Sequence, residues 1–159
     1  MIAAVHRMLL GVFGWLPRRV RRRIVGTLTP SYTVGAICVI ERADGRIALI
    51  QHRYRNRWGL PGGLLARRED ARDAALREVR EEIGIEVELV GEAQVVVEPA
   101  VRRVDVVFRA RPVDDEPVVS PTSPEIVAVE WFEPDALPEL QDETAVALAT
   151  LERASRHHD

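Results

Sequence analysis

The sequence contains no lysine. All 22 of its basic residues are arginine, which excludes a Schiff-base lysine and a Walker-type phosphate lysine together. It has one cysteine, Cys38, so a disulfide framework and a cysteine-rich zinc site are both excluded. Cys38 lies inside an apolar run and reads as a small core residue. No convincing secretory signal is present: the charges of a signal precede its apolar stretch, whereas arginines 18–23 follow residues 8–16. No membrane span is expected either. Residues 24–40 are uncharged but carry Gly26, Pro30, Ser31, Tyr32 and Gly35, which suits a linker entering a strand. The default location is therefore cytoplasmic. Internal repeats and low-complexity tracts are absent. Acidic residues are missing from the first 40 positions, which hold six arginines and a charge of +6. Residues 41–159 hold 16 arginines against 25 acids, for −9. A basic piece thus precedes an acidic domain. The length of 159 residues, 47% of them hydrophobic and 30% charged, fits one globular domain with a real core.

Residues 2–13 read as a short apolar helix, and Pro17 opens a basic one that ends near Gly26. Residues 27–30 are the expected linker. Residues 32–41 are β-rich, and a turn at Ala43-Asp44-Gly45 leads to a second apolar run, 47–50, so the pair reads as a hairpin. A polar loop with Arg53, Arg55 and Arg57 precedes Pro61-Gly62-Gly63. Residues 70–83 are good helix formers, stopped by Gly84. Residues 85–98 are strand-like with a break near Gly91. In 101–110 alternation puts Val104, Val106, Phe108 and Ala110 on one face. An acidic, proline-containing loop (114–124) leads to a strand (126–132) and a closing helix over 142–156 capped by Asp142.

The central helix contains Arg77-Glu78-Val79-Arg80-Glu81-Glu82. At about 100° per residue, Glu78 and Glu82 project about 40° apart, with Glu81 about 60° to the other side of Glu78. Such like-charge neighbours cost an isolated helix roughly 0.2–0.5 kcal/mol per pair. Glu78 and Glu82 share the arc of Ala71, Ala74, Ala75 and Val79, the side that faces a sheet. The opposite arc, with Asp70, Asp73, Arg77 and Arg80, is the natural solvent side. Acids at a core-facing edge are costly unless a cation meets them. Oxygen donors alone select a hard cation, Mg2+ or Mn2+.

The order Gly63, five residues, Glu69, seven residues, Arg77-Glu78-Val79, one residue, Glu81-Glu82, one residue, Gly84-Ile85 resembles a complete Nudix box. The resemblance implies an α+β fold: a Nudix-type α/β/α sandwich with a mixed curved sheet, over residues 31–159. To this is added an N-terminal basic helical extension, 1–30. Residues 1–30 lie outside the resemblance, and their helical, basic character is read from composition alone. The resemblance implies an enzyme hydrolysing a nucleoside diphosphate linked to some group X, by in-line attack of water at phosphorus. By the same resemblance Glu78, Glu81, Glu82 and the Gly63 carbonyl are metal ligands, and Glu69 and Arg77 a supporting ion pair. The general base is Glu78 or an acid of the loop before the Trp131 strand, Glu125, with Glu98 and Glu130 as weaker candidates. Gly62 lets the backbone approach a phosphate, and Arg53, Arg55 and Arg57 are candidates for binding substrate phosphates. Tyr54 or Trp58 is available to stack on a base. An intact box favours an enzyme over a nucleotide-sensing module.

The group X is not legible. Pro99 lies 14 residues beyond Ile85, near a proline of ADP-ribose-type members, and the extra motif of NADH pyrophosphatases is missing. Nucleoside triphosphates, ADP-sugars and capped RNA all stay open as substrates. Residues 1–30 have three readings: packing on the domain or completing a homodimer, lying on an anionic membrane through Phe13, Trp15 and Leu16, or contacting RNA phosphates. Packing is the favoured one.

Overall fold

Alternation in the first strand serves two cores. Strand β1 (Thr33–Ile40) is buried from Gly35 onward. Ala36, Cys38 and Ile40 join one apolar cluster, and Ile37 and Val39 a second. A strand covered on both faces needs a continuous apolar run, which is what residues 36–40 supply. Burial holds the Cys38 thiol neutral, its pKa pushed up to about 12. The computed structural model describes residues 15–156. Contacts divide the chain into two compact units, residues 1–32 and 33–159. The helix expected over 2–13 lies outside the described residues, as do His157 and His158.

In the first unit, helix α1 (Arg18–Leu28) follows Pro17 and continues through Gly26, beyond its expected end. A glycine inside a helix costs about 1 kcal/mol relative to alanine, which weakens the helix without ending it. Thr27 and Thr29 donate their hydroxyls to the carbonyls of Arg23 and Val25. The extended backbone of Thr29 then stops the helix. None of the described helices is long and apolar enough to cross a membrane.

In the second unit, β1 runs parallel to β6 (Arg103–Pro112) and antiparallel to β4 (Gly62–Leu64), and β6 pairs antiparallel with β5 (Val87–Glu98). This mixed sheet has the order β4-β1-β6-β5. The second sheet, β3-β2-β7, is antiparallel and comprises β3 (Trp58–Gly59), β2 (Ile47–His52) and β7 (Ile126–Phe132). The hairpin expected between β1 and β2 is not formed. Its turn exists, with Arg42 N–H donating to the Arg46 carbonyl and Gly45 at φ +86°. Beyond one bridge, Glu41 with Ile47, the strands part. Both edges of β1 are taken, by β6 and β4, so β2 builds a separate sheet. Within β5 the expected break appears at Gly91, φ +70°, where pairing with β6 shifts register.

Helix α2 (Ala71–Ile83) buries Ala74, Ala75, Val79 and Ile83 in the first cluster; helix α3 (Asp142–Ser155) buries Ala147 and Leu151 in the second. One helix therefore covers each face of β1, the layering of an α/β/α sandwich. Asp70 caps α2 by accepting from Arg72 N–H at 2.9 Å, an interaction of about 1 kcal/mol. Gly84 closes it in the left-handed conformation. The expected Asp142 cap of α3 is a correction: the cap residue is Gln141, and its side chain bonds Arg55 and the Arg57 carbonyl instead of the helix.

Candidate active site

After β2 the chain crosses from one sheet to the other within a few residues. Gly59 pairs with Ile50, the Pro61 carbonyl accepts from Cys38 N–H at 2.9 Å, and Gly62 to Leu64 pair with β1. Residues 58–59 and 62–64, on either side of Leu60-Pro61, therefore form two short strands where a Pro-Gly-Gly turn was expected. Gly62 holds φ +154°, and a Cβ there would lie 2.3 Å from the Ala36 carbonyl oxygen. A Cβ on Gly63 would lie 2.2 Å from Glu78 Oε1. The two glycines let this crossing lie flat against β1 on one side and against a carboxylate on the other.

The carboxylates come from α2. Glu78, Glu81 and Glu82 line a cavity of about 490 Å³ together with Gly62 and Gly63. Glu82 is only 8% exposed. One of its oxygens accepts from Gly62 N–H at 2.9 Å, and the other is 3.7 Å from His52 Nε2. Glu78 is half-buried, and burial pushes its carboxyl above the usual range; Glu82 and Glu81 push the same way, while Arg77 opposes them. Glu81 is the exposed member of the three.

Arg77 is not on the solvent side where the helical wheel put it. Its guanidinium turns inward and donates to Glu69 at 2.7 and 3.0 Å, to Glu78 at 2.8 Å and to Glu81 at 3.2 Å. Four charge-assisted bonds outweigh hydration of one arginine at a helix edge. Through this grip and the Ala66 N–H, the Glu69 carboxyl is held down at about 2. The depressed value fixes the sign of a pH effect. The contribution of Glu69 to stability is complete above its ordinary value of 4.5 and is lost as pH falls towards 2. In acid unfolding of wild type against Glu69→Gln, the stability gap is expected to be widest above pH 5 and to close near pH 2. A gap independent of pH would remove the ionised pair from the account.

The donor set fits a hard cation. It consists of three carboxylates that line one cavity with the Gly62-Gly63 backbone, oxygen donors throughout. Burial raises the Glu78 carboxyl, and repulsion from Glu82 and Glu81 adds to it in the same direction. The cluster is not drawn tight: among the described residues no group of three or more acid, histidine or cysteine side chains is spaced to hold an ion as it stands. Arg77 occupies Glu78 and Glu81 instead.

Among the other candidates, Glu125 lines the same cavity, whereas Glu98 and Glu130 do not. Arg55 lines it too, with Nη1 bonded to Gln141 Oε1 at 2.7 Å and to Glu143. Arg53 donates Nε to the Pro124 carbonyl, and Arg57 pairs with Glu139 and Asp142; neither lines this cavity. Tyr54 is on the lining, while Trp58 packs edge-on against Phe132. Among the lining residues that escaped the sequence reading are His52, Arg103 and Glu143. His52 is partly buried, and its buried Nδ1 has no hydrogen-bond partner among the described residues. It lacked any ligand-like spacing. Arg103 sits on the odd-numbered face of β6 with Asp105, and the signal was there: Val107 on that face is fully buried, so the face is not a solvent face. Glu143 completes the far wall. Burial raises its carboxyl, but its own backbone N–H, Arg55 and the field of Arg103 together bring it below the usual range.

The family model of the NUDIX domain matches residues 31–152. A MutT-like protein of Streptomyces ambofaciens is 39% identical over 114 residues, 71% of each chain. A NUDIX hydrolase from Nitrosomonas europaea superposes with a TM-score of 0.69 at 26% identity, covering 82% of this chain and 74% of that one. An ADP-ribose pyrophosphatase from Streptococcus suis gives a TM-score of 0.62 at 30% identity, with 79% and 93% covered.

Proposed function

The chain belongs to the NUDIX hydrolase family, and from that premise we propose that it cleaves a phosphoanhydride bond in a nucleoside diphosphate linked to a second group, with Mg2+ or Mn2+ held by Glu78, Glu81, Glu82 and the Gly63 carbonyl. The observation that carries the reading is that all three box glutamates and the Gly62-Gly63 backbone line one cavity. When bound, the ion supplies charge neutralisation at the diphosphate and acidifies a water. The chain does the rest. Arg77 ties Glu69, Glu78 and Glu81 into one unit, so the loop ahead of α2 cannot drift from the carboxylates. The polar lining positions the diphosphate for in-line attack. A carboxylate takes the water's proton, Glu78 or Glu125, both on the cavity wall. Products are a nucleoside monophosphate and the phosphorylated second group.

The test is a panel: ADP-ribose, UDP-sugars, NADH, a capped RNA and nucleoside triphosphates, each with Mg2+ and with a chelator. ADP-ribose and triphosphates lead it because the Streptococcus suis and Streptomyces ambofaciens relatives are described as an ADP-ribose pyrophosphatase and a MutT-like protein. Expected is nucleoside monophosphate release from at least one compound, abolished by the chelator. Tight nucleotide binding without turnover across the panel would instead make the chain a sensor.

A further inference from the structure

Two arginines and a histidine line the cavity, and two of the three are already engaged or constrained. Arg55 is bonded to Gln141 and Glu143, and His52 faces Glu82. Arg103 differs. Its Nε alone is used, shared between the two oxygens of Asp105 at 2.9 and 2.8 Å. Arginine has five N–H donors in a planar fork. Four of them, on Nη1 and Nη2, meet no acceptor among the described residues, although Arg103 is only partly exposed. Glu143 lies within reach of its field but not within bonding distance.

Asp105 is 4% exposed. A carboxylate so deeply placed is costly unless paired, and Arg103 is its partner. The pair is built in from both sides. Gly35 opposes Asp105 in the β1–β6 register and neighbours β4 on its other edge. A Cβ on Gly35 would lie 2.3 Å from Asp105 Oδ1, 3.2 Å from Arg103 Nη2 and 3.2 Å from the Gly63 carbonyl oxygen. Arg103 Nη2 and the Gly63 carbonyl thus flank one point, no further apart than twice that last distance. The missing side chain at Gly35 is what lets the pair lie beside the glutamate end of the cavity.

We propose that Arg103, oriented by Asp105, binds a non-bridging oxygen of the substrate's diphosphate with its unused Nη edge, next to the carbonyl of Gly63. The inference rests on the diphosphate-hydrolase reading for its ligand class and deepens it. A guanidinium pinned at Nε presents both Nη groups in a fixed plane, the geometry that suits two phosphate oxygens. A lysine at this position would have one ammonium for both Asp105 and the anion, without the second planar edge that the guanidinium holds in a fixed direction.

The test is calorimetric binding of imidodiphosphate, a diphosphate that resists hydrolysis, with Mg2+ present, to the full chain. Two variants serve, Arg103→Lys and the double change Arg103→Met with Asp105→Leu. The lysine keeps a cation against buried Asp105, and the apolar pair removes both charges at once, so each avoids an unpaired buried carboxylate. Expected is a loss of imidodiphosphate affinity on the order of 10- to 100-fold in both. Mn2+ binding without diphosphate, and the thermal midpoint of Arg103→Lys, should change little. Affinity of folded Arg103→Lys equal to wild type would overturn the proposal, as would a wild type that does not bind imidodiphosphate. The hydrolysis panel is read separately. A chain that binds through Arg103 yet turns over no compound defeats the hydrolase reading alone. A chain that hydrolyses while Arg103→Lys binds imidodiphosphate as wild type does defeats this one alone.

Discussion

Glu82→Gln is expected to lower kcat/KM by about 10²- to 10³-fold, the effect of removing several kcal/mol of charge stabilisation at the transition state. The fold should survive. The amide keeps an oxygen for the Gly62 N–H that Glu82 now accepts. It also removes one of the charges that push Glu78 upward, so the metal-free thermal midpoint should be unchanged or higher. Steady-state kinetics with Mg2+, a Mn2+ titration and thermal unfolding read the three effects separately. Loss of activity together with loss of Mn2+ affinity fits a ligand. Full activity would remove Glu82 from the site and take the proposed chemistry with it. The same measurements on Glu125→Gln sort the second carboxylate: slow turnover with intact Mn2+ affinity marks a base, and weakened affinity marks a ligand.

The two adjacent glycines should fail in opposite ways when changed to alanine. At Gly62 the new Cβ meets backbone, the Ala36 carbonyl at 2.3 Å and Ile37 Cα at 2.9 Å, and φ is +154°. Neither strand can yield cheaply. Strain and overpacking together give an expected loss of about 2–6 kcal/mol, seen as a lower urea midpoint or an insoluble chain. At Gly63 the new Cβ meets the Glu78 carboxylate, the far end of a flexible side chain. Glu78 swings aside, stability changes little, and turnover falls. A stable, inactive Gly63→Ala beside an unstable Gly62→Ala is the expected pattern. Two stable, active variants would mean that the crossing between the sheets is looser than its contacts indicate.

Much of this was legible in the residues because it is local. The span of α2, its stop at Gly84 and the inward arc of Glu78 and Glu82 follow from periodicity and capping chemistry, whereas Asp70, read as the first helical residue, is its cap. The Gly91 break announced itself through a lone glycine in a β-rich run. What escaped depends on partners distant in sequence. The β1–β2 hairpin fails because β6, some seventy residues on, takes the edge that β2 would need. Arg77 leaves the solvent because Glu69 and the other glutamates outbid water for it. Gln141 displaces Asp142 as the α3 cap because Arg55 and Arg57 recruit its side chain. Arg103 was passed over because an arginine in a β strand usually points outward, although the apolar Val107 on the same face was a sign that this face is covered.

The crossing between the two sheets also separates what is fixed from what is free to vary. The three box glutamates project from one rigid helix. Part of the remaining cavity wall, Tyr54 and Arg55 on one side and Ser123 and Glu125 on another, comes from the segment between β2 and β3 and from the stretch ahead of β7. Lengthening such a connection costs only about 0.6 kcal/mol of closure entropy per doubling. Under the proposed function, a longer connection there would change which group X the cavity admits while the three glutamates stay where α2 holds them.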